Sequence, residues 1–329
     1  MLLLNQQDIQ SVFTMADAIE ADKRAFRFLS ENQCDIPLRT NINIPKYGGQ
    51  ALFMPGYVPG MDAVGVKIVS VFPGNAALGL PSVPAQMILV DGKTGMVCCI
   101  LDGTTLTRIR TGAAAGAATD VLARKDSQIG ALIGTGGQAQ AQLEAMLTVR
   151  TLDEVRVYSR SAANTKAFIE INTDLMSRFA TRIVAVDSSE AAVRDADIIT
   201  AVTTSKQPVF DGHWIKKGAH VNGVGSYTPE MHEMDAYLLL QAEGVYADTR
   251  EGVLAEAGDL LTPMAQGLFG TERITGELGD VLLNRVHGRI QEDAITVFKS
   301  VGTAVLDIVA AQEVYRLALE KGIGTHFDL

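Results

Sequence analysis

Between residues 129 and 247 short apolar runs alternate with stretches of helical periodicity. Residues 129–133 read as a buried strand and 138–149 as a helix. A strand over 155–159 follows, then one helix over 162–179. Strands over 182–186, 198–202, 220–224 and 245–247 continue the series, with a short helix over 189–194. This alternation implies βαβ units on a parallel sheet with right-handed crossovers. The first 110 or so residues read differently. "AVGVKIVSVF" and "PAQMILVD" are strand-like, and "KTGMVCCILDG" forms a hairpin through Lys93, Thr94 and Gly95. Residues 112–123 make a helix of small side chains. Residues 300–322 make one long amphipathic helix ended by Gly322. A helix of that length packs back on another element, and the first domain is the expected place. The fold class is therefore α/β: a Rossmann-type doubly wound parallel sheet over 121–304, plus a discontinuous mixed α+β domain formed by 1–120 and 305–329.

Composition narrows the chemistry. The 329 residues carry a net charge of −10 with no cationic cluster to offset it, which argues against nucleic acid as a partner. No apolar run reaches the roughly 18 residues of a membrane span. The opening Met1-Leu2-Leu3-Leu4 is too short for a signal-peptide core and has no basic lead. Cys34, Cys98 and Cys99 form no disulfide framework, which points to a reducing cytoplasm. The five histidines show no metal-ligand spacing, so no metal is expected.

The stretch "ALIGTGGQAQAQLEAML" carries the first chemical signal. Gly134-x-Gly136-x-x-Ala139 follows a strand and opens a helix. In such a loop the first glycine permits the tight turn and the second admits a pyrophosphate close to the backbone. The small third residue lets helix and strand pack. The free N–H groups of the helix then face the phosphates. The next strand ends in Ser159-Arg160-Ser161, with Asn164 and Lys166 beyond. NAD sites place a carboxylate there for the ribose 2′-OH. Here none repels a 2′-phosphate, and Arg160 can pair with one bidentately. NADPH is expected, with NADH as the alternative.

Three cations stand among apolar neighbours: Arg39 after "DIPL", Lys67 inside "AVGVKIVSVF" and Arg110 at the end of "LTRIR". A lysine flanked by valines and isoleucines must reach solvent or find an anion. Alternation leaves open that Lys67 lies on a solvated face. Three cations near one cleft suit a small anionic substrate.

The pieces "IPLRT", "GVKIVSVFPGN", "TRIRTGAAAGAAT", "GTGGQA", "VRVYSR", "GAHVNGVGSYTPEMHEMD" and "TVFKSVGTAV" run in order along the chain. In them the chain resembles the ornithine cyclodeaminase/mu-crystallin family from end to end. The resemblance implies a homodimer, a substrate-binding and dimerisation domain completed by the C-terminal helix, and a central dinucleotide-binding domain. It places Arg39, Lys67 and Arg110 on the substrate carboxylate and Val301 near the substrate. It gives cofactor contacts to Ser82, Arg110, Thr111, Gly134, Gly136, Gly137 and Gln138. Ser159, Arg160, Ser161 and Asn164 match the 2′-phosphate pocket, and Thr203, Val224, Ser226 and Ser300 match positions along the rest of the cofactor.

One departure bears on the reaction. Cyclodeaminases of this family carry an acid–base Asp where this chain has Ser226. A lone serine is a poor base, though it can position a water or an imine nitrogen. What remains is hydride transfer to a preformed C=N bond, as in the family's ketimine reductases. Δ1-Pyrroline-2-carboxylate and Δ1-piperideine-2-carboxylate would give L-proline and L-pipecolate. Lys67 either grips the carboxylate or delivers a proton, so Lys67 and Ser226 are the catalytic candidates. The alternatives are ornithine cyclodeamination, an amino acid dehydrogenase, and an NADPH-loaded ligand-binding protein.

Overall fold

A computed structural model describes residues 1–328. In chain order its strands are β1 (Leu2–Leu4), β2 (Thr40–Ile44), β3 (Gly49–Val58), β4 (Ala63–Val71), β5 (Ala85–Asp91), β6 (Val97–Asp102), β7 (Ile129–Ile133) and β8 (Glu154–Tyr158). They continue as β9 (Arg182–Ala185), β10 (Ile198–Ala201), β11 (His220–Gly223), β12 (Gly244–Ala247), β13 (Gly276–Glu277), β14 (Thr296–Lys299) and β15 (Thr325–His326). The helices are α1 (Gln6–Val12), α2 (Met15–Ser30), α3 (Gly103–Leu122), α4 (Ala139–Val149), α5 (Ala162–Ile171) and α6 (Thr173–Phe179). After them come α7 (Ser189–Val193), α8 (Ala236–Gln241), α9 (Arg250–Glu256), α10 (Gly258–Ala265), α11 (Leu278–Leu282) and α12 (Ala304–Lys321). The chain divides into a first unit, 1–110 with 303–329, and a second unit, 111–302, the division falling inside α3. No helix of the described residues is long and apolar enough to cross a membrane.

The first unit is a mixed seven-stranded sheet in the order β15-β1-β6-β5-β4-β3-β2. α1 and α2 start on capping boxes, Asn5 with Asp8 and Thr14 with Asp17, which satisfy orphan N–H groups of each first turn. α12 packs on α2, β3 and β4. Its first half is buried all round, from Ala304 through Ala311, and Gly322 ends it in the left-handed conformation at φ 64°. β4 alternates strictly, and the buried face carries Ala63, Gly65, Lys67 and Val69. Lys67 therefore lies on the covered face of the sheet and not in solvent.

The second unit is an eight-stranded sheet in the order β13-β12-β14-β11-β10-β7-β8-β9, and every pairing in it is parallel. β10, β11, β12 and β14 are buried on both faces, as parallel sheets covered by helices require. Strand order runs one way through β7-β8-β9 and reverses between β7 and β10. In a doubly wound sheet such a reversal opens a crevice at the carboxyl ends of the strands. The stretch 162–179 is two helices, because Asn172 turns its side-chain amide onto the Phe168 carbonyl and breaks the run. The small-residue helix begins earlier than the alanine pattern implies, at Gly103.

Candidate active site

In the first unit the buried charges form one cluster. Asp307, on the buried half of α12, is fully shielded from solvent. Its Oδ2 accepts from Lys67 Nζ at 2.6 Å and its Oδ1 from Arg110 Nε at 2.8 Å. Burial pulls the Lys67 ammonium down to about 7, helped by the Arg110 charge and more weakly by Arg39, and opposed by Asp307. Arg39 itself is half-buried. The three cations that stood out in the sequence thus share one neighbourhood, and the anion that Lys67 needed is Asp307, 240 residues away. Of the Arg110 side-chain nitrogens, only Nε makes a hydrogen bond among the described residues. Its two terminal nitrogens keep the planar fork that matches a carboxylate. α2 adds Asp22, fully buried, with no hydrogen bond to either oxygen among the described residues. Burial drives its carboxyl well above the usual range, the Arg110 charge opposes this and Asp307 reinforces it.

In the second unit the glycine loop has the geometry of a phosphate cradle. Gly134 sits at φ 108°, and a Cβ there would lie 2.6 Å from the Val202 carbonyl oxygen, so only glycine fits. A Cβ on Gly136 or Gly137 would meet nothing within 4 Å, which leaves the loop open to a ligand. α4 begins after Gln138 without any side-chain cap, so its first N–H groups remain available. The loop therefore fits a dinucleotide pyrophosphate. At the end of β8, Ser161 caps α5 by accepting from the Asn164 N–H, and the Ser159 hydroxyl reaches the Ser161 carbonyl and the Thr165 hydroxyl. Arg160 between them is exposed. Thr111 is half-buried and its carbonyl accepts from Gln142 Nε2.

Beyond β10 and β11 the picture is more constrained than the sequence implies. Thr203 and Val224 follow the two strands, Val224 being packed into the apolar core on the β8 side. Ser226 is wholly buried. Its hydroxyl donates to the Met231 carbonyl at 2.7 Å and accepts from the Asp259 N–H at 3.3 Å. The turn thus consumes this hydroxyl, and the expectation that it orients a water or an imine nitrogen gives way to a structural role. After β14, Asp248 Oδ2 accepts from the Ser300 hydroxyl and from the Val301 and Gly302 N–H groups, fixing that turn. Val301 is buried against the core. In the first unit, Ser82 is half-buried and its carbonyl accepts from the Phe72 N–H.

Sequence reasoning missed Asp22, Asp248, Glu233 and Asp307. For Asp307 the signal was present: a lone acid inside "AVLDIVAA" mirrors a lone base inside "AVGVKIVSVF". Asp259 is fully buried and pairs with Lys299 at 2.9 Å. His220 is a core residue. Burial holds its imidazole down at about 3, and its ring nitrogens bond Thr296 and Asn222.

The model of the ornithine cyclodeaminase/mu-crystallin family matches residues 1–322. A Δ1-pyrroline-2-carboxylate reductase from Bacillus cereus is 35% identical over 328 residues, covering 100% of both chains. The structure of Thermococcus litoralis Δ1-pyrroline-2-carboxylate reductase in complex with NADH and L-proline superposes with a TM-score of 0.94 at 39% identity, over 99% of this chain and 100% of that one. An archaeal alanine dehydrogenase dimer with bound NAD superposes with a TM-score of 0.92 at 32% identity, over 100% and 99% of the two chains.

Proposed function

The chain belongs to the ornithine cyclodeaminase/mu-crystallin family, and from that premise we propose that it reduces the C=N bond of a cyclic 2-carboxy imine. The substrates are Δ1-pyrroline-2-carboxylate and/or Δ1-piperideine-2-carboxylate, the products L-proline and L-pipecolate, and NADPH is preferred over NADH. The chain is a nicotinamide-dependent oxidoreductase acting on C=N and CH–NH bonds, and the cofactor, when bound, supplies the hydride. The second unit holds it through Gly134, Gly136, Gly137 and the uncapped start of α4. Arg160, with Ser161 and Asn164 beside it, takes the 2′-phosphate; the absence of a carboxylate at the end of β8 supports the NADPH preference.

In the first unit the free fork of Arg110 and the Arg39 guanidinium take the substrate carboxylate. Lys67 gives its proton to the imine nitrogen as the carbon accepts hydride, and Asp307 holds both Lys67 and Arg110 in place. The single observation that carries this reading is Lys67: a buried ammonium poised at about 7, on the same carboxylate as the carboxylate-binding arginine. A general acid works best when its pKa lies near the working pH. Ser226 cannot serve, because its hydroxyl is already bonded on both sides. That also weighs against cyclodeamination, which needs an acid–base group in that turn. The archaeal alanine dehydrogenase likeness supports oxidation of an open-chain amino acid as a second reading.

The same reading includes a cytoplasmic homodimer. The edge strand β2 is exposed over four of its five residues, Ile42 among them, and Leu38 and Tyr47 present apolar surface on either side of it. The three cysteines are unpaired, as a reducing compartment allows. The test is cofactor oxidation followed by absorbance, with each imine and with NADPH or NADH. Turnover of an imine, faster with NADPH, is expected. No turnover above background with either imine, together with cofactor reduction by alanine, would replace this reading with the second.

A further inference from the structure

We propose that Glu233 is the positioning residue of the cofactor floor: its carboxylate fixes the two backbone turns that carry Thr203, Val224 and Ser226. The inference rests on the cofactor-binding reading of those turns. β10 and β11 are neighbours, with Ala201 paired to Gly223 at their carboxyl ends. Just beyond them the two turns come so close that a Cβ on Gly225 would lie 2.1 Å from the Thr203 carbonyl oxygen. Backbone packed on backbone has no side chain to absorb its polar groups, and Glu233 does this from the segment before α8. Its Oε1 accepts from the Thr203 N–H, and its Oε2 accepts from the Gly225 N–H at 2.6 Å and the Ser226 N–H at 3.0 Å.

The carboxylate is itself anchored. Asp259 Oδ1 accepts from the Glu233 and Met234 N–H groups at 2.6 and 3.0 Å. Asp259 Oδ2 lies 2.9 Å from Lys299 Nζ, and that ammonium donates to the Gly223 carbonyl at 3.1 Å. A closed ring thus runs from the end of β11 through Glu233, Asp259 on α10 and Lys299 on β14, and back to β11. All three side chains are fully buried. The ring fixes the carboxyl ends of β10 and β11, and β10 borders the strand-order reversal at which a ligand crevice opens.

The role depends on charge. A carboxylate can accept from three N–H groups; a neutral carboxyl turns one oxygen into a donor and loses that capacity. The charged groups facing Glu233 are Asp259 from α10 and Lys299 from β14. Burial and then Asp259 push the Glu233 carboxyl up to about 7, and Lys299 and the Thr203 N–H oppose them. Protonation should therefore loosen the floor near neutral pH.

The test is NADH affinity, read by fluorescence against pH in the wild-type protein, in Glu233→Gln and in Glu233→Asp. NADH is chosen because it lacks the 2′-phosphate, which itself titrates near about pH 6. The wild type should bind NADH more weakly as pH falls through about 7. Glu233→Gln should bind about tenfold or more weakly at alkaline pH, with that pH dependence gone, and Glu233→Asp should restore part of the affinity. A Gln variant that melts earlier yet binds NADH as the wild type does would overturn the inference. If that variant fails to fold, the wild-type titration decides: a flat profile overturns the inference and a fall through neutrality supports it. A wild-type protein that binds neither NADH nor NADPH would overturn the cofactor reading itself, and this one with it.

Discussion

Asp307→Asn replaces the one anion that two buried cations share. In the native protein Lys67 Nζ lies 2.6 Å and Arg110 Nε 2.8 Å from its carboxylate, and that carboxylate is wholly shielded from water. Removing one partner of a buried ionic set costs about 3–5 kcal/mol, because the remaining charges stay buried without compensation. On a unit of this size that lowers Tm by roughly 10–20 °C. The variant also shifts chemistry. Both the charge of Asp307 and its hydrogen bond raise the Lys67 pKa against burial and the Arg110 charge. Without them it falls further below its native value of about 7. The sign follows from linkage: folded Lys67 binds its proton more weakly than the unfolded side chain, so its contribution to stability decreases as pH falls toward about 7 and is flat below that. In the variant the decrease continues to lower pH. Scanning fluorimetry across pH reads the first effect. The alkaline limb of kcat for imine reduction reads the second and should move acidward by at least about one pH unit, worth about 1.4 kcal/mol. A variant with native Tm and an unmoved alkaline limb would refute both the clamp and the role given to Lys67.

Arg160→Ala should weaken NADPH binding about 10- to 100-fold, the loss of a charge-assisted contact, and leave NADH binding unchanged; equal losses for both cofactors in a binding titration would remove Arg160 from the 2′-phosphate site. Gly134→Ala forces a methyl group to within 2.6 Å of the Val202 carbonyl at a φ that disfavours side chains. A stability loss of about 2 kcal/mol or more in chemical denaturation is expected. Asp22→Asn addresses the unpartnered buried acid on α2. A carboxyl raised in the folded state loses stability as pH climbs above its unfolded value, so the variant should match the wild type below about pH 4 and exceed it by about 1–3 kcal/mol near pH 8. Denaturation curves that run parallel at both pH values would count against that assignment.

Most of the parallel core was legible because strands such as β7 and β10 are short apolar runs between turn residues. β7 spans residues 129–133, as the pattern predicts, and β8, β9, β10 and β11 end within a residue or so of the expected positions. β14 escaped because Thr296-Val297-Phe298-Lys299 ends in a lysine and runs on into the glycine turn that follows. The break at Asn172 escaped because a side-chain amide bonding four residues back leaves the apolar period intact. At the site, single positions with a local signature could be read: glycines that a turn demands, and cations stranded among apolar residues. Their partners could not. Lys67 and Asp307 stand 240 positions apart, and Ser226 and Asp259 stand 33 apart. Periodicity reports which face a residue takes on its own element, and it says nothing about which distant element covers that face. Ser226 shows the reverse case. Its place in the sequence invited a chemical role, while its hydroxyl is already bonded to the Met231 carbonyl and the Asp259 N–H.

The central claim is that the cofactor's hydride goes to the imine carbon of a preformed cyclic imine. Reduction of Δ1-pyrroline-2-carboxylate with NADPH deuterated at the transferred position of C4 tests it most directly. The account predicts L-proline carrying one deuterium at Cα, formed in step with cofactor oxidation and without release of ammonia. Proline without that label, or no proline at all while the labelled cofactor is bound, would contradict it.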